Sequence, residues 1–147
     1  MSWGAEDLSA DLGAPANRGP DGEYLGVYRG CREQTLLSAV AGNVQPIDTV
    51  FVDLTDPAAL ERDCAEGAAL GFTGKFTIHP DQISVVNAAY TPSDADVQHA
   101  TALLEAFEEA RAQGLMAFRF EGQMVDVPHL NRARAILDRA RQAGVAA

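Results

Sequence analysis

Pro46-Ile47-Asp48-Thr49-Val50-Phe51-Val52-Asp53-Leu54, followed at once by Asp56-Pro57, decides the reading of the fold. The run is rich in β-branched residues and almost continuously apolar, which suits a strand buried on both faces. Asp56-Pro57 then opens a helix in the favoured order, a capping carboxylate followed by proline at the first helical position. That helix is expected to run to about Leu70 and to stop at Gly71. Phe72-Thr73-Gly74-Lys75-Phe76-Thr77-Ile78-His79-Pro80 reads as a second short strand, ended by the His-Pro turn. Strand, helix, strand is the βα pattern of a parallel sheet, so the fold class is α/β.

Upstream, residues 1–8 read as the end of a strand that delivers Glu6-Asp7 to a loop. Residues 9–22 carry the Gly, Pro, Asn and Asp of that loop. A helix is expected from about Glu23 to Ala41, with Gly42-Asn43 as its stop. Downstream, a helix spans roughly Asp81 to Ala89 and is broken by Thr91-Pro92-Ser93-Asp94. The next helix carries Val97, Ala100, Leu104 and Phe107 at helical spacing and ends at Gly114. Met116 to Phe120 and Gln123 to Val127 flank Glu121-Gly122, a short hairpin signal. A last helix begins near Pro128, buries Leu130, Ala133, Ile136, Leu137 and Ala140, and stops at Gly144.

Two parallel βα units and a strand remnant do not make a satisfied sheet, because parallel sheets need both faces covered and their edges paired. A closed eight-stranded barrel needs roughly 250 residues, against 147 here. The pattern therefore fits residues 1–90 as part of a larger barrel, with residues 91–147 forming a helix, a hairpin and a helix. A small complete α/β domain starting at Met1 fits the pattern equally well.

The composition excludes several classes. At 47% apolar residues the chain is too hydrophobic for disorder, and no run approaches the roughly 20 apolar residues of a membrane span. The first seven residues lack the basic start of a signal peptide, so a cytoplasmic protein is expected. A formal net charge of -10 argues against a sequence-independent nucleic-acid binder. Cys31 and Cys64 form neither a disulfide framework nor a metal motif and read as packing residues in helices.

The candidate functional residues each carry two readings. Glu6 and Asp7 are adjacent at an expected strand end, where only one points into a barrel mouth; Asp7 is either a hard oxygen donor to a divalent cation or a cap for the following turn. Asp126, just after the hairpin and before Pro128, reads from the residues as the cap of the last helix. Lys75, the only lysine, closes an expected strand, where it either contacts a ligand phosphate or balances Asp53 and Asp56. Asp53 lies at the carboxyl end of its strand, in position to line a site, and Asp56 reads as the helix cap. His79 is expected to fix its turn by hydrogen bonding, since no partner sits at metal-ligand spacing.

The order and wording of the motifs add a resemblance. Trp3-Gly4-Ala5-Glu6-Asp7-Leu8, Pro46-Ile47-Asp48 through Asp53, Gly71-Phe72-Thr73-Gly74-Lys75, Ile78-His79-Pro80-Asp81-Gln82-Ile83, Tyr90-Thr91-Pro92-Ser93 and Gly122-Gln123-Met124-Val125-Asp126-Val127-Pro128 follow one another across nearly the whole chain. This ordered set resembles the citrate-lyase-beta-like and malyl-CoA-lyase branch of the HpcH/HpaI aldolase superfamily. The resemblance implies strands six to eight of a TIM-type (β/α)8 barrel plus a C-terminal extension. It implies a magnesium-dependent carbon–carbon lyase acting on a CoA thioester and a small oxoacid, with Asp7 as metal ligand, Lys75 and Asp53 toward substrate or CoA, and Asp126 as acid/base. In that branch the matching aspartate acts in a neighbouring subunit's site, which implies a homo-oligomer. Strands one to five would supply an arginine for the oxoacid, a glutamate as second magnesium ligand and much of the CoA site. Two alternatives stand beside this: an inactive half-barrel or assembly partner, and a CoA-independent oxoacid aldolase, against which the Gly122-to-Pro128 element speaks.

Overall fold

A computed structural model describes residues 1–145 of the chain. They form two compact units, residues 1–90 and 91–145.

In the first unit three extended segments lie side by side. Ile47 N–H donates to Met1 O at 2.9 Å, Thr73 N–H to Pro46 O at 3.0 Å, Asp48 N–H to Gly74 O at 2.8 Å and Phe76 N–H to Asp48 O at 3.1 Å. Residues 46–48 thus sit between residues 1–3 and 73–76, and the one bridge, Asp48 with Lys75, is parallel. The expected strands at 47–54 and 72–80 are therefore extended segments that pair at a single bridge, a correction to the two regular strands of a parallel sheet expected above. Gln82 shows why the pairing stops. Its Nε2 donates to Phe51 O at 2.8 Å and its Oε1 accepts from Ile78 N–H at 2.9 Å, so a buried side chain satisfies the splayed ends.

The helices follow local signals. Helix α1, Ala5–Asp11, starts at Gly4, which is still extended, and carries Glu6 and Asp7 in its first turn. The expectation of a strand over residues 1–8 fails there. Two acids beside the positive end of a helix favour helix over strand, and Ala5 and Ser9, four apart, bury one face. Helix α2, Gly26–Ala41, begins three residues later than expected because Tyr24 is bridged to Arg18. Helix α3, Pro57–Leu70, has Asp56 as its cap, accepting from Ala59 N–H at 2.9 Å, and ends at Gly71 in the left-handed conformation with φ 118°. Helix α4 is Gln82–Tyr90. Phe51, Leu60, Cys64 and Val86 form one apolar cluster, and Ala5, Tyr24 and Tyr28 another.

In the second unit, α5 (Asp94–Ala112) packs against α6 (Val127–Gln142). Ser93 and Asp96 cap α5 reciprocally, each side chain serving the other's backbone N–H. Strands β1 (Phe118–Phe120) and β2 (Gln123–Val125) pair antiparallel through Glu121-Gly122, both at positive φ, the two-residue turn that matches strand twist. The core comprises Val97, Ala100, Leu103, Phe107 and Ala110 from α5, with Leu130, Ala133, Leu137 and Ala140 from α6. Leu103 is the buried leucine of α5, and Leu104, placed above on the helix's apolar spacing, packs at the margin of the core.

Gly67, in the middle of α3, is fixed by a close approach. A Cβ there would lie 2.5 Å from Tyr90 Oη and 3.1 Å from Asp48 Oδ2. Alanine favours a helix by about 1 kcal/mol over glycine, yet Gly67→Ala should destabilise the unit by about 1–3 kcal/mol through overpacking. Urea denaturation checks this; a stabilised variant would show that the space relaxes freely.

Candidate functional site

The first unit contains a buried network of three cations and three carboxylates. Asp48 is fully buried, at 0% exposure. Its Oδ1 accepts from Trp3 Nε1 at 3.0 Å, Thr49 N–H at 2.9 Å and Arg32 Nε at 3.3 Å. Its Oδ2 accepts from Arg32 Nη2 at 2.8 Å and Lys75 Nζ at 3.3 Å. Lys75 Nζ also donates to Asp63 Oδ2 at 2.5 Å, and Asp63 Oδ1 accepts from Arg18 Nη2 at 2.6 Å. Arg32 Nη1 reaches Glu66 Oε2 at 2.5 Å. Three positive and three negative groups balance, which is the condition for burying charge without a large uncompensated penalty.

The network opens onto solvent through Arg18, whose side chain is 23% exposed and stacks 3.6 Å from the centre of the Tyr24 ring. It borders a cleft of about 500 Å3 whose walls include Arg18, Asp21, Glu23, Asp53, Asp56 and Glu66. A smaller cavity of about 240 Å3 lies between Asp53, Leu60, His79 and Gln82.

Burial pushes the Asp63 carboxyl up, but Lys75 and Arg18 outweigh it and hold it below the ordinary carboxylate value. Burial raises the Tyr24 and Tyr90 hydroxyls well above their ordinary values and pushes the Cys64 thiol up to about 11, so Cys64 is no nucleophile. The Tyr90 hydroxyl is buried with no partner beside this network.

The residues singled out from sequence occupy different settings. Asp7 is exposed, one helical turn past the carboxyl end of the first extended segment. Its carboxylate folds back over Gly4, where a Cβ would meet Oδ2 at 2.6 Å, so glycine is needed for that conformation. Glu6 accepts from Asn17 Nδ2 at 2.6 Å, which ties the following loop to α1. Asp53 is exposed at the edge of both cavities, and its carboxyl is held low by Thr55, whose hydroxyl and N–H each donate to Oδ1 at 2.7 Å. Asp81 N–H donates to His79 Nδ1 at 3.3 Å, the turn-fixing role expected for that histidine.

Lys75 requires a correction. Its side chain is 0% exposed and its partners are Asp48 and Asp63, not Asp53 and Asp56. An ammonium committed to two buried carboxylates does not face a CoA phosphate in this structure. Arg18, Arg32, Asp48, Asp63 and Glu66 were all missed from sequence. The available signal was Asp48, an acid inside an otherwise apolar run, together with a single lysine to answer it.

In the second unit Asp126 stands at the N-cap position of α6 with no side-chain hydrogen bond to the first helical N–H groups, and His129 is at the third helical position. Its Oδ1 lies 2.6 Å from His129 Nδ1, and both side chains are about half exposed. Among the described residues no group of three or more His, Cys, Asp or Glu converges as a metal site. Asp7 has the right chemistry for one hard oxygen ligand and fits magnesium only in that part.

Removing one partner from a buried charge network leaves the others uncompensated, so Lys75→Met should cost about 3–5 kcal/mol by urea denaturation at neutral pH. A loss below about 1 kcal/mol, the scale of an exposed pair, would show that the network contributes little. Because the folded Asp63 carboxyl titrates below its unfolded value of about 3.9, its contribution is fully present above that value. It is lost as pH falls through the lower folded value. Circular dichroism during acid titration should show unfolding of the wild type only below about pH 4.

Comparison with known proteins places this architecture. The family model for carbon–carbon bond lyases of the TIM-barrel fold matches residues 24–145. A citrate lyase subunit beta-like protein of Mycobacterium tuberculosis is 43% identical over 143 residues, which is 97% of this chain and 51% of that protein. Human mitochondrial citramalyl-CoA lyase is 40% identical over 132 residues, 90% of this chain and 37% of that enzyme. The crystal structure of Mycobacterium tuberculosis CitE in complex with magnesium, acetoacetate and coenzyme A superposes with a TM-score of 0.84 at 42% identity, covering 96% of this chain and 51% of that one. The chain thus spans about half the length of the first of these relatives. Carrying the family pattern over 24–145, with parallel extended segments between helices, the chain belongs to the carbon–carbon bond lyases of the TIM-barrel fold.

Proposed function

We propose that this chain forms the last three βα units and C-terminal extension of a magnesium-dependent lyase barrel. The substrate is a 3-hydroxyacyl-CoA of citramalyl-, malyl- or citryl-CoA type, which is split into an acyl-CoA and an oxoacid or formed by the reverse condensation. The observation that carries the reading is the side-by-side pairing of residues 1–3, 46–48 and 73–76, with Asp7 one helical turn past the carboxyl end of the first segment. Barrel enzymes place their chemistry at that edge. The relatives named citramalyl-CoA lyase and the CitE complex with magnesium, acetoacetate and coenzyme A support the substrate class.

In this reading Asp7 contributes one carboxylate to magnesium, and further ligands come from barrel segments other than those described here. The metal, when bound, polarises the oxoacid oxygen as a Lewis acid. Asp53, held ionised by Thr55 at the rim of both cavities, lies where a polar part of the substrate or of CoA is oriented. Lys75 acts indirectly: it fixes Asp63, Asp63 holds Arg18, and Arg18 holds the loop that follows α1. Asp126 supplies the proton to the α-carbon of the acyl-CoA enolate formed on cleavage, and removes it in the condensation direction. Its exposure at the start of α6 suits a residue that completes the site of another subunit, so a homo-oligomer is part of the proposal. The setting is cytoplasmic; no helix among the described residues is long and apolar enough to cross a membrane.

The absence of a converging metal-ligand group among the described residues favours a second reading, an inactive half-barrel or assembly partner. Calorimetry separates them in two steps. Alone, the chain should bind magnesium weakly or not at all, since one carboxylate is a poor site; in a completed barrel Asp7→Asn should weaken binding. In that barrel Asp126→Asn should lower turnover of citramalyl-CoA by about 10²–10⁴-fold with magnesium affinity nearly unchanged. Equal loss of both would mean that Asp126 has another role, and no turnover by the unsubstituted barrel would favour the inactive reading.

A further inference from the structure

The chain has three imidazole–carboxylate pairs, and their distances separate one from the others. His79 Nδ1 lies 3.5 Å from Asp81 Oδ2 and His99 Nδ1 lies 3.4 Å from Glu121 Oε2, ordinary surface neighbours. His129 Nδ1 lies 2.6 Å from Asp126 Oδ1. Two lone pairs repel at that distance, so a proton must lie between the two atoms. With Asp126 ionised, that proton is on Nδ1, and the imidazole is a donor to the carboxylate.

A capping box normally has Glu or Gln at this third position, accepting from the backbone N–H of the cap residue. His129 stands there instead, and its Nδ1 is 3.3 Å from Asp126 N and 2.6 Å from the carboxylate oxygen. The shorter contact takes precedence, since one Nδ1 cannot donate and accept at once in a neutral ring. His129 is therefore placed to act on the carboxylate more than on the helix start.

We propose that His129 is the positioning residue for Asp126. The inference rests on the acid–base reading of Asp126 given above. The Nδ1–H holds Oδ1, which fixes the rotamer and leaves Oδ2 as the oxygen that meets the α-carbon. In the cleavage direction the Oδ2–H bond of Asp126 breaks, a C–H bond forms at the enolate α-carbon, and the carboxylate left behind keeps its donor on Oδ1. In condensation the same steps run backward, and Oδ2 takes the α-proton. The imidazole exchanges no proton with the substrate.

The experiment uses three variants of His129 and one of Asp126. His129→Glu offers an acceptor and removes the donor; His129→Gln restores an N–H donor; His129→Leu offers neither. In the lyase assembled with this chain and assayed with citramalyl-CoA, kcat should fall on the order of tenfold in His129→Glu and His129→Leu. KM should stay within about twofold, and His129→Gln should recover most of the loss. The thermal midpoint should stay near the wild-type value in all three variants, since a protonated Nδ1 accepts nothing from the Asp126 N–H and its removal takes no cap away. In 15N spectra of the chain itself the Nδ1 of His129 should carry the proton, a preference that Asp126→Asn should abolish. Wild-type turnover in His129→Glu beside an inactive Asp126→Asn would overturn this inference alone, as would an unprotonated Nδ1. A fully active Asp126→Asn would overturn the acid–base reading and this inference with it.

Discussion

The carboxylate of Asp48 is the point on which the first unit depends. Buried completely, it takes hydrogen bonds from the indole of Trp3, the guanidinium of Arg32, the ammonium of Lys75 and the N–H of Thr49. Those donors come from all three extended segments and from α2, so one anion joins the sheet remnant to the helix layer. Hydrophobic residues alone would fill that space with more stability, since buried ion pairs rarely outweigh well-packed apolar contacts. Their geometric demand is stricter, however: the bidentate contact with Arg32 is met in only one register of the segments against α2.

That constraint travels toward the carboxyl edge. Asp63 shares Lys75 with Asp48 and passes the connection to Arg18, which lies against Tyr24 and contacts Gly22 O at 2.8 Å. Asn17 ties the same loop to Glu6, the neighbour of Asp7. The loop beside the proposed metal ligand is thus held at both flanks, one by a buried charge relay and one by an amide. A lyase needs such preorganisation, because a carboxylate that wanders by an ångström loses most of its effect on a reacting centre.

The second unit is built by different physics. Its two helices meet through small and branched apolar residues, with Ala100, Ala133 and Ala140 allowing close approach between larger side chains. Its shortest polar contacts at helix starts are the reciprocal cap of α5 at Ser93 and Asp96 and the Asp126–His129 pair at the start of α6. The Asp126 carboxylate at the start of α6 is met by the His129 imidazole at Oδ1, and the acid role proposed for it needs only the other oxygen.

By itself the sequence determined what depends on neighbours within about one helical turn. Asp56-Pro57 and Gly71 bounded α3, Glu121-Gly122 placed the hairpin, and the apolar spacing of α6 gave Leu130, Ala133, Leu137 and Ala140 as its core face, while Ile136, also expected to be buried, packs only at its margin. The ordered motifs also pointed to the lyase family. Only the tertiary structure decided the partners of Lys75, the burial of Arg32 and the reach of Arg18 to Asp63, contacts between residues 12 to 45 positions apart. It also turned residues 5–11 into a helix where a strand was expected. The physical reason is range: caps, turns and helical periodicity are settled by local backbone sterics and hydrogen bonds. The pairing of buried charges is settled by which side chains packing brings together, and several carboxylates along this acidic chain were equally good partners until it did.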